Sequence, residues 1–237
     1  MKSISQLVVF ASSAFLFSCA SVSGPSGGNT TRAQFLDEVW VAPELKGRAV
    51  SEVFSKVYFA PVRTTSLERQ GWWSSQSAVK QEQLQLDAAK LAREFHGMLN
   101  RAARNDPGRR LAVVSAPGVG TLTVEVAITE LEPAKAYWNA GATAAGLVVP
   151  GAGLLSAAGS GSMTIEGRLR DGGTGKVIAT FRDEMRDRMA VVNVDSYSWY
   201  GGSEKNLEEV AVKTARVLNA GADEVVASSA PIRLVAY

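Results

Sequence analysis

One cysteine and one histidine, Cys19 and His96, stand in a chain of 237 residues. Those two counts bound the available chemistry. A Cys–His nucleophile and base, a thiolate zinc site and an intramolecular disulfide are all excluded from the body of the protein. Any Ser-His-Asp site would have to use His96, and no strand-to-helix nucleophile elbow supplies the serine. His96 directly follows Phe95 in a helical pattern, where a flank role is expected. Asp171 to Lys176 (DGGTGK) has the Gly-Lys ending of a phosphate-binding loop. The rest of that motif is missing: Arg170 stands where a glycine is needed, Val177 follows the lysine, and both flanks read as strands. A hairpin turn is expected. Asp183, Glu184 and Asp187 are interleaved with Arg182, Arg186 and Arg188. That pattern predicts a solvated strand edge with cancelling charge, not a carboxylate pair prepared for proton transfer. These readings assign no catalytic residue, no metal ligand and no cofactor, and the protein is expected not to be an enzyme.

Cys19 closes the N-terminal run MKSISQLVVFASSAFLFSCAS. Lys2 gives a basic start, Ile4 to Phe17 an apolar stretch, and Ser18 a small residue before the cysteine. This is the three-part layout of an export signal, too short to span a membrane as a helix. Leu16-Phe17-Ser18-Cys19 resembles the bacterial lipobox, with Phe17 bulkier than the usual occupant of its position. The resemblance implies a signal peptide over residues 1–18, a diacylglyceryl group on the Cys19 thiol and an acylated new N-terminus. More than one acyl chain makes such attachment stable. Ala20, where retention at the inner membrane would call for Asp, implies the outer membrane by the Gram-negative sorting rules. Residues 19–32, rich in Ser, Gly, Thr and Asn, read as a flexible tether, and 33–237 as a periplasmic domain. Lys and Arg number 25 against 23 Asp and Glu, without a basic stripe, so nucleic acid is not an expected partner.

Aromatic residues gather at three places: Trp72 and Trp73, Tyr137 and Trp138, and Tyr197, Trp199 and Tyr200. On one side of the domain they would form a patch suited to a partner protein, a glycan or a lipid interface. The alternative is that they fold back over the core edges. Residues 136–165 carry no charge, but they hold six glycines and Pro150. A single membrane helix is disfavoured, because each internal Gly costs about 1 kcal/mol and the Pro about 3 kcal/mol. Leu147-Val148-Val149 and Leu154-Leu155 break the alternation of a membrane strand. Gly and Ala let backbones approach, so the 139–161 insertion is expected to pack on the domain or on a neighbouring subunit. A loop at the lipid surface is the other reading.

The positioning elements follow from periodicity. Lys56 to Val62 reads as a strand and Phe35 to Pro43 as an extended piece. From Ser77 to Arg104, Leu84, Ala88, Leu91, Phe95, Met98, Leu99 and Ala102 recur every three or four residues, predicting a long amphipathic helix that Asp106-Pro107-Gly108 ends. Leu111 to Ala116 suits a buried strand. Leu122, Val124, Val126 and Ile128 alternate with polar residues over Thr121 to Thr129, as do Met163, Ile165 and Leu169 further on. Val177, Ala179 and Phe181 carry the return strand of the hairpin. Ser203 is the expected N-cap of a second helix that buries Leu207, Val210, Ala211, Thr214 and Leu218. The sum is an α+β fold: a single mixed, mainly antiparallel β-sheet with two amphipathic helices packed on it, plus the Gly/Ala-rich insertion.

GVGTLTVEVAITELEPA (Gly118 to Ala134), GSMTIEGRLRDGGTGKVIATFRDE (Gly161 to Glu184) and KVYFAPV resemble blocks of the bacterial lipoproteins known as domain of unknown function 3313. That family carries no activity to transfer. The expected function is a lipid-anchored outer-membrane lipoprotein facing the periplasm, a non-catalytic binding or adaptor module for another envelope protein. Alternatives are a self-assembling homo-oligomer or pore using residues 139–161, and a cell-wall or lipid-modifying enzyme.

Overall fold

The computed structural model describes residues 36–132, 162–186, 203–221, 224 and 226. Six strands follow one another as β1 (Glu38–Val41), β2 (Lys56–Phe59), β3 (Ala112–Val113), β4 (Thr121–Glu132), β5 (Ser162–Asp171) and β6 (Val177–Arg186). A short helical turn α1 (Gly71–Ser74) and the long α2 (Ala78–Asn105) lie between β2 and β3, and α3 (Ser203–Asn219) follows β6. The strands form one sheet in the order β1-β6-β5-β4-β2-β3. β1–β6, β6–β5 and β5–β4 pair antiparallel, and β4–β2 and β2–β3 pair parallel. The sheet is mixed and mainly antiparallel, as the alternation predicts.

Period-two patterning decides which face is covered. Leu122, Val124, Val126 and Ile128 are all buried, and across the strands they meet Val57 and Phe59 on β2 and Ile165 on β5. Both long helices cover this face. Ser77 caps α2 by accepting from the Lys80 amide at 3.4 Å. Leu84, Ala88, Leu91, Phe95 and Leu99 are buried, while Met98 and Ala102 are partly so. Ala92 and Ala103 are buried as well, widening the apolar stripe because α2 packs against α3 as well as the sheet. On α3 the five predicted residues, Leu207, Val210, Ala211, Thr214 and Leu218, are all buried. Each fully buried Leu or Phe contributes roughly 1.5–3 kcal/mol relative to exposure.

Two predicted details are corrected. The Leu111 to Ala116 strand is not a buried one: β3 has two residues at the outer edge of the sheet, with Ala112 exposed and only Leu111 in the core. On β6, a register shift opposite Leu169 and Arg170 places Ile178 in the core beside Ala179 and leaves Val177 half-buried. Gly167 faces Phe181 across β5 and β6, and a Cβ there would sit 2.1 Å from the Phe181 ring. The ring occupies the space a side chain would need.

The two helices meet the sheet at a buried joint. Asn219, the last residue of α3, accepts the Arg110 and Leu111 amides on Oδ1 at 2.8 and 3.0 Å and donates from Nδ2 to the Ala215 carbonyl at 3.0 Å. Two of these bonds hold the loop after α2, and the third fixes the side chain to its own helix. Asp106 supports the same loop by accepting the Gly108 amide at 2.9 Å.

Candidate functional site

His96 is half-buried on α2, with Nε2 3.0 Å from the Phe59 carbonyl. The carbonyl can only accept, so the tautomer with its proton on Nε2 donates to it and ties the helix to the end of β2. Asn100 donates to the His96 carbonyl at 2.9 Å. The ring serves as a strut. Replacing His96 by Ala is expected to lower stability by about 1 kcal/mol, one net hydrogen bond, as read from urea unfolding.

The DGGTGK segment forms the tight connection between β5 and β6. Asp171 Oδ1 accepts the Gly173 and Thr174 amides at 2.8 and 3.1 Å, and Gly175 takes φ +73°, which favours glycine. Lys176 pairs with Glu44, and this hydrogen bond holds the Glu44 carboxyl below its ordinary range. The geometry is that of a hairpin, with its lysine engaged by the neighbouring loop.

Trp72 and Trp73 lie in α1, with ring centroids 5.5 Å apart. Trp73 is 2% exposed, within the core, so it does not present a surface for a partner. Trp72 is partly buried and its indole N–H donates to the Gln70 side chain. Gln70 in turn accepts the Leu131 amide at 3.5 Å and donates to the Thr129 carbonyl at 3.4 Å. The β4 register shifts between Ile128 and Glu130, and a bulge of this kind leaves backbone groups without ladder partners. Gln70 satisfies them, a role with no sequence signature because it depends on where β4 bulges. Cys19, Tyr137, Trp138, Tyr197, Trp199, Tyr200 and residues 139–161 lie outside the described residues.

The second face of the sheet carries charge in cross-strand pairs. Arg170 bonds Glu125 at 3.1 Å, and Arg182 bridges Glu166 at 2.9 Å and Glu130 at 3.4 Å. Glu130 also accepts the Thr164 hydroxyl at 2.7 Å. These carboxylates are held by guanidinium groups, an arrangement suited to a stable polar surface, with each half-buried pair contributing up to about 1 kcal/mol. Thr123 Oγ1 is buried among them with no hydrogen-bond partner among the described residues.

Asp183 departs from the solvated edge predicted for its segment. Ala179, Phe181 and Asp183 alternate onto the helix-covered face, and Asp183 is 7% exposed. Glu184 is exposed and Arg182 is partly exposed and ion-paired, as predicted; Asp187 and Arg188 lie outside the described residues. Burial raises the Asp183 carboxyl from 3.8 to about 6. The Asp37 and Glu209 carboxylates push the same way, and Lys213 opposes them. Asp37 is fixed by accepting the Glu184 amide at 2.7 Å, while Lys213 pairs with Glu209 at 2.5 Å. Among the described residues no group of three or more His, Cys, Asp or Glu is placed to hold a metal, and no helix is long and apolar enough to cross a membrane.

One mixed sheet, covered on one face by two helices and ion-paired on the other, defines the class of this protein as an α+β module. Residues 37–189 match the family described as Protein of unknown function (DUF3313), and the chain belongs to that family. No curated protein matches it. Two solved structures are similar: the PelC dodecamer from Paraburkholderia phytofirmans and a substituted form of it in another crystal form. Each is 12% identical with a TM-score of 0.38, covering 77% of this chain and 96% and 95% of those chains, respectively.

Proposed function

We propose that this protein is a lipid-anchored periplasmic module of the outer membrane that holds another envelope component without catalysing a reaction. The observation that carries the reading is Cys19, the single thiol of the chain, placed at the end of an export signal in a lipobox-like sequence. The geometry of the domain supports it. The single histidine serves as a strut and the carboxylates of the open sheet face are ion-paired, so these groups are engaged in structure.

Replacing Cys19 by Ser removes the acyl acceptor. The wild-type protein is expected in the membrane fraction and the variant in the soluble periplasmic fraction, a near-complete shift because stable attachment needs the acyl chains. A variant that stays firmly with the membrane would exclude the lipid anchor. The partner is sought by brief crosslinking, mild detergent extraction and mass measurement. A discrete complex with a second envelope protein is the expected product, and a homo-oligomer alone would replace the adaptor reading with self-assembly.

A further inference from the structure

The loop between α2 and β3 gathers cations at one end of the domain. β2, β3 and β4 run parallel, so all three start at this end, where α2 also stops and the β5–β6 turn closes opposite Leu122. Arg104 stands in the last turn of α2, Arg109 and Arg110 follow in the loop, and Lys56 pairs with Ala112, two residues beyond Arg110. All four residues are exposed, and none forms an ion pair among the described residues. The Asn219 joint fixes the loop by taking the Arg110 amide. Arg109 takes φ +40°, a left-handed backbone in which glycine would sit without strain. The helix C-terminus favours Arg104, but Arg109 and Arg110 lie beyond the helix.

Neighbouring carboxylates are engaged elsewhere. Asp106 is buried and accepts the Gly108 amide, and Asp171 accepts two amides of its own turn. Glu44 is held by Lys176, and Glu224 by Arg216 at 3.3 Å. An apolar tip stands beside the cations. The Gly120 carbonyl accepts the Ser55 and Lys56 amides at 3.2 and 3.3 Å, which puts the preceding Val119, 88% exposed, next to the start of β2.

From this arrangement we infer that the end of the domain carrying Lys56, Arg104, Arg109, Arg110 and Val119 docks on anionic phospholipid headgroups. Guanidinium groups donate in pairs to phosphate oxygens. A basic cluster of this size beside an exposed apolar residue is a combination that seats a protein at a bilayer interface. The inference rests on the lipid-anchor reading of Cys19 for holding the chain at a membrane.

The test uses the mature chain, residues 19–237, with Cys19→Ser so that no acyl group contributes. It is floated with vesicles of phosphatidylglycerol in phosphatidylcholine, and of phosphatidylcholine alone. Binding is expected to the anionic vesicles only, and to fall as salt is raised. Arg104→Gln, Arg109→Gln and Arg110→Gln together should lower partitioning on the order of a hundredfold, about fivefold per arginine. Val119→Asp alone should also weaken it. Arg63→Gln, Arg69→Gln and Arg93→Gln remove equal charge from exposed sites elsewhere and should leave binding within about twofold. Circular dichroism verifies that each variant is folded. Equal losses in the two triple variants, or no binding to the anionic vesicles, overturns the inference. So does capture by the soluble polyanion heparin without vesicle binding, which would assign the arginines to an acidic macromolecule. The anchor itself is tested by where the Cys19→Ser protein fractionates, so the two failures are distinguishable.

Discussion

Replacing Asn219 by Ala is expected to lower stability by about 2–3 kcal/mol, near the upper range for a single polar substitution. The Asn219 side chain accepts the amides of both Arg110 and Leu111 and returns a bond to Ala215. Alanine removes the acceptor and leaves the amides in place. Leu111 and Asn219 are both buried, so water does not readily replace the lost oxygen, and an unsatisfied buried donor costs about 1–3 kcal/mol. The joint also connects the loop after α2 to the end of α3, so both helices should loosen together. Thermal unfolding followed by circular dichroism is the check, with an expected drop in melting temperature of roughly 5–10 °C. A loss below about 0.5 kcal/mol, the ordinary scatter of surface substitutions, would mean the joint is not structural.

Asp183 to Asn is expected to act in the opposite direction, and only above mildly acidic pH. In the folded protein this carboxyl sits at about 6, against 3.8 for an ordinary aspartate. The native state therefore holds the proton more tightly than the unfolded chain, and stability falls as pH rises from about 4 through about 6. Two units at 1.36 kcal/mol each set a ceiling near 3 kcal/mol. Residual solvent access and Lys213 reduce it to about 1–2 kcal/mol. Asparagine imitates the neutral acid. At pH 7.5 the variant should be more stable than the wild type by that amount, and well below the unfolded value of 3.8, at about pH 3, the two should converge. Unfolding midpoints across that range decide it. A variant less stable at pH 7.5 would mean that the ionised carboxylate has a net favourable interaction with Lys213.

Asp183 also shows how far the pattern could be read. Ala179 and Phe181 were legible as inward residues, and one further step of the same alternation reaches Asp183. Its neighbours Arg182 and Glu184 made the segment look solvated, because charge composition reports an average over both faces of a strand. Val177 does begin the return strand, but its phase was not legible for a related reason. A bulge shifts the phase of a period-two pattern, and the residues around it do not announce it. Trp73 is a third case: an aromatic pair reads equally well as surface or core until the packing of α1 is known.

What the chain determined by itself was local. Apolar spacing every three or four residues specified α2 and α3, alternation specified β4 and β5, and Asp-Gly-Gly-Thr-Gly specified the turn, because each depends on neighbours within a few residues. The lipobox-like run at Cys19 belongs to the same class of signal. The tertiary structure alone decided the order β1-β6-β5-β4-β2-β3, the use of Gln70 to satisfy the β4 bulge, the Asn219 joint and the Gly167–Phe181 contact. Each joins residues distant in sequence, and which distant strand, amide or ring comes within reach is set by the global packing that buries the most apolar surface while leaving few polar groups unpaired.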